Sequence, residues 1–329
     1  MKKKILFLSA YNSSFVRNDR YILERFADVN SVTIPKNRNI YSISILVCKI
    51  FIGICKNNFT YCWFAELPAY VAVFFSKLLN KKCIVVVGGY EVANIPDIGY
   101  GGMLNPKNVR KVKYILRNAD ITLAVSESNK REIQQNFKTK YLKQIYNGVE
   151  IEKFYPKGTK KDVVVTVGNV TRENLKRKGL ETFVRSAAFL TETTFILIGK
   201  HHDDSIEYLS SIASNNVIFT GFVSDEELLR CLQEAKVYVQ VSAHEGFGIS
   251  LAEAMLCECI PVVTHCGALP EVAGEFAYYV PFNDPQKTAK SIQNALNNKS
   301  GSIFRTHIIK NYSLKNREDQ LKGIVGDLH

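Results

Sequence analysis

Short apolar, β-branched runs alternating with helix-length stretches constrain this 329-residue chain more than any other feature. The runs fall at residues 5–9, 62–65, 84–87, 121–125 and 144–146, and a second series follows at 163–167, 195–198, 217–219, 237–241, 260–264 and 277–280. Strands without polar alternation, joined by segments long enough for crossover helices, predict parallel sheets covered by helices on both faces. Two such series predict two α/β domains of ordinary size. Asn147-Gly148 and the turn-rich P-K-G-T-K-K at 156–161 punctuate them, which puts the expected boundary near residue 158. A dinucleotide-binding dehydrogenase would share this alternation, but no G-x-G-x-x-G/A follows any of the strands.

Charge divides the same two halves. Through residue 155 there are 24 Lys and Arg against 11 Asp and Glu; from residue 156 on there are 19 against 20, so the net charge of +12 belongs to the first half. A basic half beside a neutral one predicts that the first domain meets something anionic: membrane lipid, a diphosphate-linked acceptor or nucleic acid. The alternative is a charge that serves solubility alone. Residues 106–118 read as a helix with Lys107, Arg110, Lys111, Lys113 and Arg117 along one basic face. No aromatic-basic recognition motif accompanies the charge, so nucleic acid is not the expected partner.

The most apolar stretches, 40–55 and 67–76, read as core helices or as helices that dip into a membrane interface. Lys49 splits the first, and the second has about half the roughly 20 residues a membrane span needs. The opening M-K-K-K-I-L-F-L-S-A is too short in its apolar part for a secretory leader and reads as a first buried strand. Eight cysteines without C-x2-C spacing suit reduced thiols in a cytoplasmic protein. Neither Cys257, Cys259, His265 and Cys266 nor the H-H-D-D run at 201–204 has the spacing expected of a metal site.

The stretch H-E-G-F-G-I-S-L-A-E-A-M at 244–255 carries the chemistry. It joins an apolar strand to a helix start through a Gly-Phe-Gly turn, and the first N–H groups of a helix lack internal partners and sit at the positive end of its dipole. Gly246 and Gly248 remove Cβ atoms where a phosphate or sugar would touch backbone, while Glu245 and Glu253 supply acceptors for hydroxyls. The alternative reading is a capping box between Ser250 and Glu253, with Glu245 a solvated loop residue.

Several fragments in order resemble the retaining family-4 glycosyltransferases of the GT-B fold. They are A-D-I-T-L-A-V-S-E-S-N-K (119–130), I-Y-N-G-V-E-I-E-K-F-Y-P (145–156), V-T-V-G-N-V with R-K-G-L (165–180), G-F-V-S-D-E-E-L (221–228), the E-x7-E element, and I-P-V-V-T-H-C-G-A-L-P-E-V (260–272). The resemblance is densest between 119 and 280. It implies two Rossmann-like domains facing each other across a cleft: 1–158 for the acceptor, 159–311 for the nucleotide-sugar, and 312–329 as a C-terminal helix that crosses back to the first domain.

The same resemblance implies the site. Glu245 would bond the donor sugar and Glu253 the nucleotide ribose, with the backbone of Gly246, Phe247 and Gly248 against sugar and diphosphate. Lys178 would neutralise the leaving diphosphate, with Arg177 beside it. Asn169 stands where many relatives carry an arginine, and Arg172 is the substitute. Ser13 and Ser14 occupy the place of a Gly-Gly pair, and Glu91 is the polar group nearest to where relatives carry a histidine. Residues 222–226 would border the base. The implied protein is a retaining, metal-independent glycosyltransferase with no cofactor beyond its nucleotide diphosphate sugar. It would be cytoplasmic or peripheral at the inner face of the membrane, and would act on a lipid-linked or otherwise anionic cell-surface glycan. A non-catalytic nucleotide-binding module of the same fold is the alternative.

Overall fold

A computed structural model describes residues 2–35, 39–298 and 300–327 of the chain. The chain divides into two compact units, one holding residues up to Gly148 together with those from Leu314 on, the other holding Val149–Ser313.

In the first unit β1 (Lys4–Leu8), α1 (Ser14–Glu24), β2 (Asp28–Ser31), α2 (Ile40–Lys56), β3 (Phe59–Trp63), α3 (Leu67–Leu78), β4 (Lys82–Val87), α4 (Pro106–Asn118), β5 (Ile121–Ala124), α5 (Glu127–Asn136) and β6 (Leu142–Gln144) follow one another. All strand pairs are parallel, in the order β2-β1-β3-β4-β5-β6. β3 is buried along its whole length, and β4 from Cys83 on. This is why their sequences read as apolar runs: helices cover both faces, so no side of the strand meets water. The edge strand β2, D-V-N-S, is mostly exposed and escapes the sequence reading for the opposite reason.

The second unit runs β7 (Lys161–Val167), α6 (Arg172–Arg177), α7 (Leu180–Ala187), β8 (Thr194–Ile198), α8 (Ser205–Ile212), β9 (Val217–Gly221), α9 (Asp225–Glu234), β10 (Ala235–Gln240), α10 (Ile249–Leu256), β11 (Ile260–Thr264), α11 (Leu269–Ala273), β12 (Tyr278–Val280), α12 (Pro285–Asn297) and α13 (Ser302–Tyr312). Its sheet is also parallel, in the order β12-β11-β10-β7-β8-β9. The winding builds outward from β7 through β8 to β9, then returns to β10 on the other side of β7. The carboxyl ends of β7 and β10 therefore form the topological switch point of the sheet, the usual ligand position in open α/β sheets.

Against the expected boundary at 158, the first unit ends at Gly148. Residues 149–158 are tied into the second unit instead. Phe154 is buried, its carbonyl accepts from Arg305 Nη1 at 3.0 Å, and Tyr155 O accepts from Gln233 Nε2 at 3.0 Å. The return crossing is likewise two residues later than expected. Tyr312 closes α13, and its hydroxyl donates to Glu271 O at 2.5 Å, so the final helix starts at Leu314. The outgoing and returning chains run side by side, with Val149 N donating to Tyr312 O at 2.8 Å. A Cβ on Gly148 would lie 2.9 Å from Leu314 Cα, which is why glycine stands at this crossing.

The C-terminal helix Leu314–Asp327 belongs to the first unit through buried polar contacts. Arg317 forms a two-pronged ion pair with Asp19 of α1, and the pair is almost wholly buried. Asp19 also accepts from Tyr61 Oη at 2.6 Å and Trp63 Nε1 at 2.8 Å, while Arg317 Nη1 donates to the carbonyls of Ile145 and Tyr146. Every charged atom of the pair has partners, the condition under which a buried ion pair is tolerated.

Candidate active site

Strand β10 delivers the loop 241–248 to this switch point. Gly248 is the N-cap of α10 with φ +104°, a conformation that favours glycine, and no side chain caps this helix. Ser250 and Glu253 accordingly lie inside the helix and form no capping box; that motif occurs instead at α9, between Ser224 and Glu227. Phe247 is buried and packs edge-on against Tyr312 at 5.4 Å, fixing the turn from below. Its backbone, with that of Gly246 and Gly248, lines the entry to α10, whose first N–H groups have no partners within the helix.

Two other loops dock on this one. Lys178 ends α6, and Gly179 at φ +67° brings the chain so close to β10 that a Cβ there would sit 2.2 Å from Val241 O. Ala243 N donates to Arg177 O at 2.8 Å, which locks the K-G turn to the E-G-F-G loop. From the other side, Gly267 at φ +55° approaches the Glu245 backbone, where a Cβ would lie 2.6 Å from Glu245 O, and Ala268 N donates to that oxygen at 3.0 Å. Thr264 Oγ1 donates to Ser242 O at 2.5 Å. Backbone contacts thus hold loops from the ends of β7, β10 and β11 together.

The result is a cluster of charge around one carboxylate. Lys178 Nζ lies 2.8 Å from Glu245 Oε1, Arg177 Nη1 lies 3.7 Å from it, and Ser242 Oγ donates to it at 3.0 Å. Burial by itself would raise the Glu245 carboxyl; the charge of Lys178, then that of Arg177, and the hydrogen bonds from Lys178 and Ser242 outweigh it and hold the group at about 2. Glu245 is therefore a carboxylate throughout the neutral range, with Lys178 as its near cation, while Arg177 is shared at 3.7 Å between Glu245 and Glu173.

Glu253, one and a half turns into α10, has the opposite character. Burial pushes its carboxyl up to about 8; Lys153 opposes this, and Glu150 and Asp225 reinforce it. Lys153 is itself bound to Asp225 at 2.7 Å, so it does not neutralise Glu253. Of the two acids in the E-x7-E element, one is an ion with its counter-ions in place and the other lacks a dedicated partner charge.

The remaining expected site residues have these partners within their own units. Arg172 begins α6, where its N–H donates to Asp203 Oδ2 at 2.9 Å and its exposed guanidinium reaches Asp204 at 3.3 Å. These partners are not the Glu245 cluster, so the geometry does not support Arg172 as the stand-in for an arginine at 169. Asn169 uses its Oδ1 to accept Lys200 N at 3.2 Å. In the first unit, Ser13 is the N-cap of α1, with its hydroxyl making no capping bond, and Ser14 opens the helix. Glu91 is buried and accepts from the N–H groups of Ala65, Gly88 and Gly89 at 3.0–3.1 Å. It joins the loops after β3 and β4, a backbone clamp where the sequence suggested a ligand contact. Sequence reasoning gave no role to Ser242, Lys153 or the Gly267 turn, although Lys153 and Gly267 lie in the quoted fragments 145–156 and 260–272; it placed Asp225 in the 222–226 stretch expected to border the base, whereas the structure pairs Asp225 with Lys153. Among the described residues, no cluster of His, Cys, Asp or Glu has the arrangement of a metal site.

Comparison with known proteins gives this architecture its family. Residues 149–314, the second unit almost to the residue, match the family described as "Glycosyl transferases group 1". The chain is 33% identical over 108 residues to the serotype-specific mannosyltransferase WbdA of Escherichia coli, covering 31% of this chain and 13% of that protein. It spans only 13–16% of the length of the WbdA proteins it matches. It is 23% identical over 242 residues to the lipopolysaccharide core biosynthesis mannosyltransferase LpcC of Rhizobium leguminosarum bv. viciae, covering 66% of this chain and 67% of that one. Among solved structures, Anabaena Alr3699/HepE in complex with UDP and glucose superposes with a TM-score of 0.81 at 16% identity, covering 99% of this chain and 100% of that one. The likeness in coordinates shows the fold, which is GT-B with two Rossmann-like domains. Because the family match covers half of the chain and coincides with the unit that carries the Glu245 cluster, the chain belongs to the group 1 glycosyltransferases.

Proposed function

We propose that this protein transfers a hexose, with retention of configuration, from a nucleoside diphosphate sugar to a lipid-linked or otherwise anionic glycan acceptor. The observation that carries the proposal is the Lys178–Glu245 pair, 2.8 Å apart at the entry to α10 and at the sheet's reversal point. As the bond from the anomeric carbon to the diphosphate oxygen breaks, negative charge grows on the leaving group. Lys178, Arg177 and the helix entry stabilise that charge more than they stabilise the intact donor. Glu245, ionised and directed by its cations, accepts from a donor-sugar hydroxyl, and Glu253 accepts from the ribose.

The acceptor oxygen forms its bond to the anomeric carbon on the face the diphosphate leaves, and its proton passes to a diphosphate oxygen. No side chain is then needed as nucleophile, and the two cations supply the neutralisation that a divalent metal would otherwise give. The basic first half supports an acceptor that carries negative charge. Several relatives are named mannosyltransferases, which puts mannosyl donors at the head of the panel. No described helix is long and apolar enough to cross a membrane.

The test is transfer from a panel of GDP- and UDP-sugars to polyprenyl-diphosphate glycans, with and without chelator, for the natural protein and Glu245→Gln. We expect chelator-insensitive product from one donor and its loss in the variant. Stabilisation of the fold by nucleotide with no transfer from any donor would instead favour a nucleotide-binding module.

A further inference from the structure

Helices α2 and α3 of the first unit are apolar on the wrong side. Leu46, Ile50 and Ile54 of α2 are buried, yet its outward positions are Tyr41, Ile45, Cys48, Ile52 and Cys55, at 3- and 4-residue spacings, with Tyr41 75% and Ile52 50% exposed. The outward line of α3 is Tyr70, Phe74 and Leu78, the last two 46% and 68% exposed. A helix that is apolar all round belongs in a core or against lipid, and a surface helix should show polar residues on this side. The two helices adjoin there: Phe51 of α2, partly exposed beside the outward row, meets the half-buried Phe75 of α3 at 5.1 Å, and Phe75 meets the exposed Phe74 at 5.2 Å. Contiguous exposed apolar area on this scale marks an interaction site.

What would cover it is indicated by charge. The three neighbouring helices α2, α3 and α4 contain eight Lys and Arg and no Asp or Glu. Tyr70 of α3 packs on Tyr114 of α4 at 4.7 Å, so the aromatic line of α3 adjoins α4, whose Lys107, Arg110, Lys113 and Arg117 are exposed. Lys49 and Lys56 flank the outward face of α2, and Lys stems can lie along apolar surface while their charges reach outward. Apolar rows on helices whose charged residues are all cations match an anionic bilayer, with side chains entering the acyl boundary and ammonium and guanidinium groups at the headgroups.

We propose that the outward faces of α2 and α3, bordered by the cations of α4, dock this protein on the surface of an anionic membrane. The inference deepens the reading of a lipid-linked acceptor and rests on it for its purpose, but its test reads binding, not transfer. The full chain is sedimented with vesicles of phosphatidylcholine alone and of equimolar phosphatidylcholine and phosphatidylglycerol, at low and high salt. We expect partition into the mixed vesicles that weakens with salt. It should fall about tenfold or more in Ile52→Ser/Phe74→Ser, which removes inserted groups, and comparably in Arg110→Glu/Lys113→Glu. All four positions are exposed or bordered by solvent, and unchanged thermal shifts with GDP and UDP would show that folding and nucleotide binding persist. Absence of binding to the mixed vesicles overturns the proposal while leaving the transferase reading intact. So does binding indifferent to both variants, or a dimer in sedimentation equilibrium that Ile52→Ser/Phe74→Ser dissociates.

Discussion

Glu91 in the first unit and Glu245 in the second both follow a central parallel strand within five residues, beside glycines, in partly or wholly buried surroundings. Glu91 is held by three backbone N–H groups, and its burial dominates, raising its carboxyl above the usual range. Glu245 is held by Lys178, Arg177 and Ser242, and its carboxyl is lowered to about 2. The difference lies in what can move. Backbone donors are fixed by the loops they belong to, so Glu91 rivets those loops together. An ammonium on a four-carbon stem can exchange one anion for another, so the Lys178–Glu245 pair can open to a diphosphate and a sugar hydroxyl. Similar acids at similar strand ends thus differ in their partners, fixed backbone donors in one unit and mobile side-chain cations in the other.

The largest test of that contrast concerns the buried cluster that gives the first unit its last helix. Arg317→Met leaves Asp19 charged and buried, with only Tyr61 and Trp63 as donors. Removing one partner of such a pair costs about 3–5 kcal/mol. Urea unfolding should show that loss, together with early exposure of the helix Leu314–Asp327 in hydrogen exchange. A loss below about 1 kcal/mol would mean that the polar centre of this unit is not cohesive, and the contrast with the second unit would break.

In the second unit the corresponding substitution should affect turnover and spare stability. In the proposed mechanism Lys178→Ala removes a group aimed at developing charge, and such groups contribute about 10²–10³ in kcat. Arg177 and Ser242 remain to hold Glu245, so thermal unfolding should shift by only a few degrees. A variant with unchanged kcat and a raised KM would show that Lys178 binds substrate and transition state alike.

Glu91→Ala sharpens the comparison from the other side. Three N–H groups lose their acceptor, and a buried unsatisfied group costs about 1–3 kcal/mol. Glu91→Gln keeps an acceptor oxygen and should restore most of the stability. Loss of nucleotide binding in Glu91→Ala without loss of stability would instead return Glu91 to the ligand-contact role that the sequence suggested.

How much of this was legible in the sequence follows the same division. Strands β4, β10 and β11 could be read because burial on both faces forces continuous apolar runs, and the K-G and E-G-F-G turns because their glycines sit where backbones touch; β3, at Phe59–Trp63, reads three residues late, at 62–65. β2 could not, being a mostly exposed four-residue edge. Nothing in the neighbourhood of Asp19 or Arg317 announces a bond between residues 298 positions apart. Glu91 and Arg172 show the limit for site residues: a polar side chain at the right place in a motif says nothing of whether local N–H groups or a nearby aspartate have already claimed it. The boundary was misplaced because a turn-rich run such as 156–161 marks a loop, whereas a domain boundary is set by which core buries the residues around it.

The smallest expected effect separates the two acids of the E-x7-E element. Glu253 in the unliganded protein has a carboxyl near 8, so at pH 7 it is mostly protonated. The sign follows from linkage. A carboxyl raised above its unfolded value makes the folded state bind the extra proton, so Glu253 lowers stability as pH rises from the ordinary carboxylate range to about 8. If ribose hydroxyls donate to Glu253, they favour its ionised form, and nucleotide binding at pH 7 must release close to one proton. Affinity should then rise by at most about tenfold between pH 7 and 8 and level off above that. Calorimetry in buffers of different ionisation enthalpy measures the release directly, and Glu253→Gln should abolish it, while Glu245→Gln should not, because Glu245 is already ionised. Proton release that persists in Glu253→Gln would remove Glu253 from the ribose.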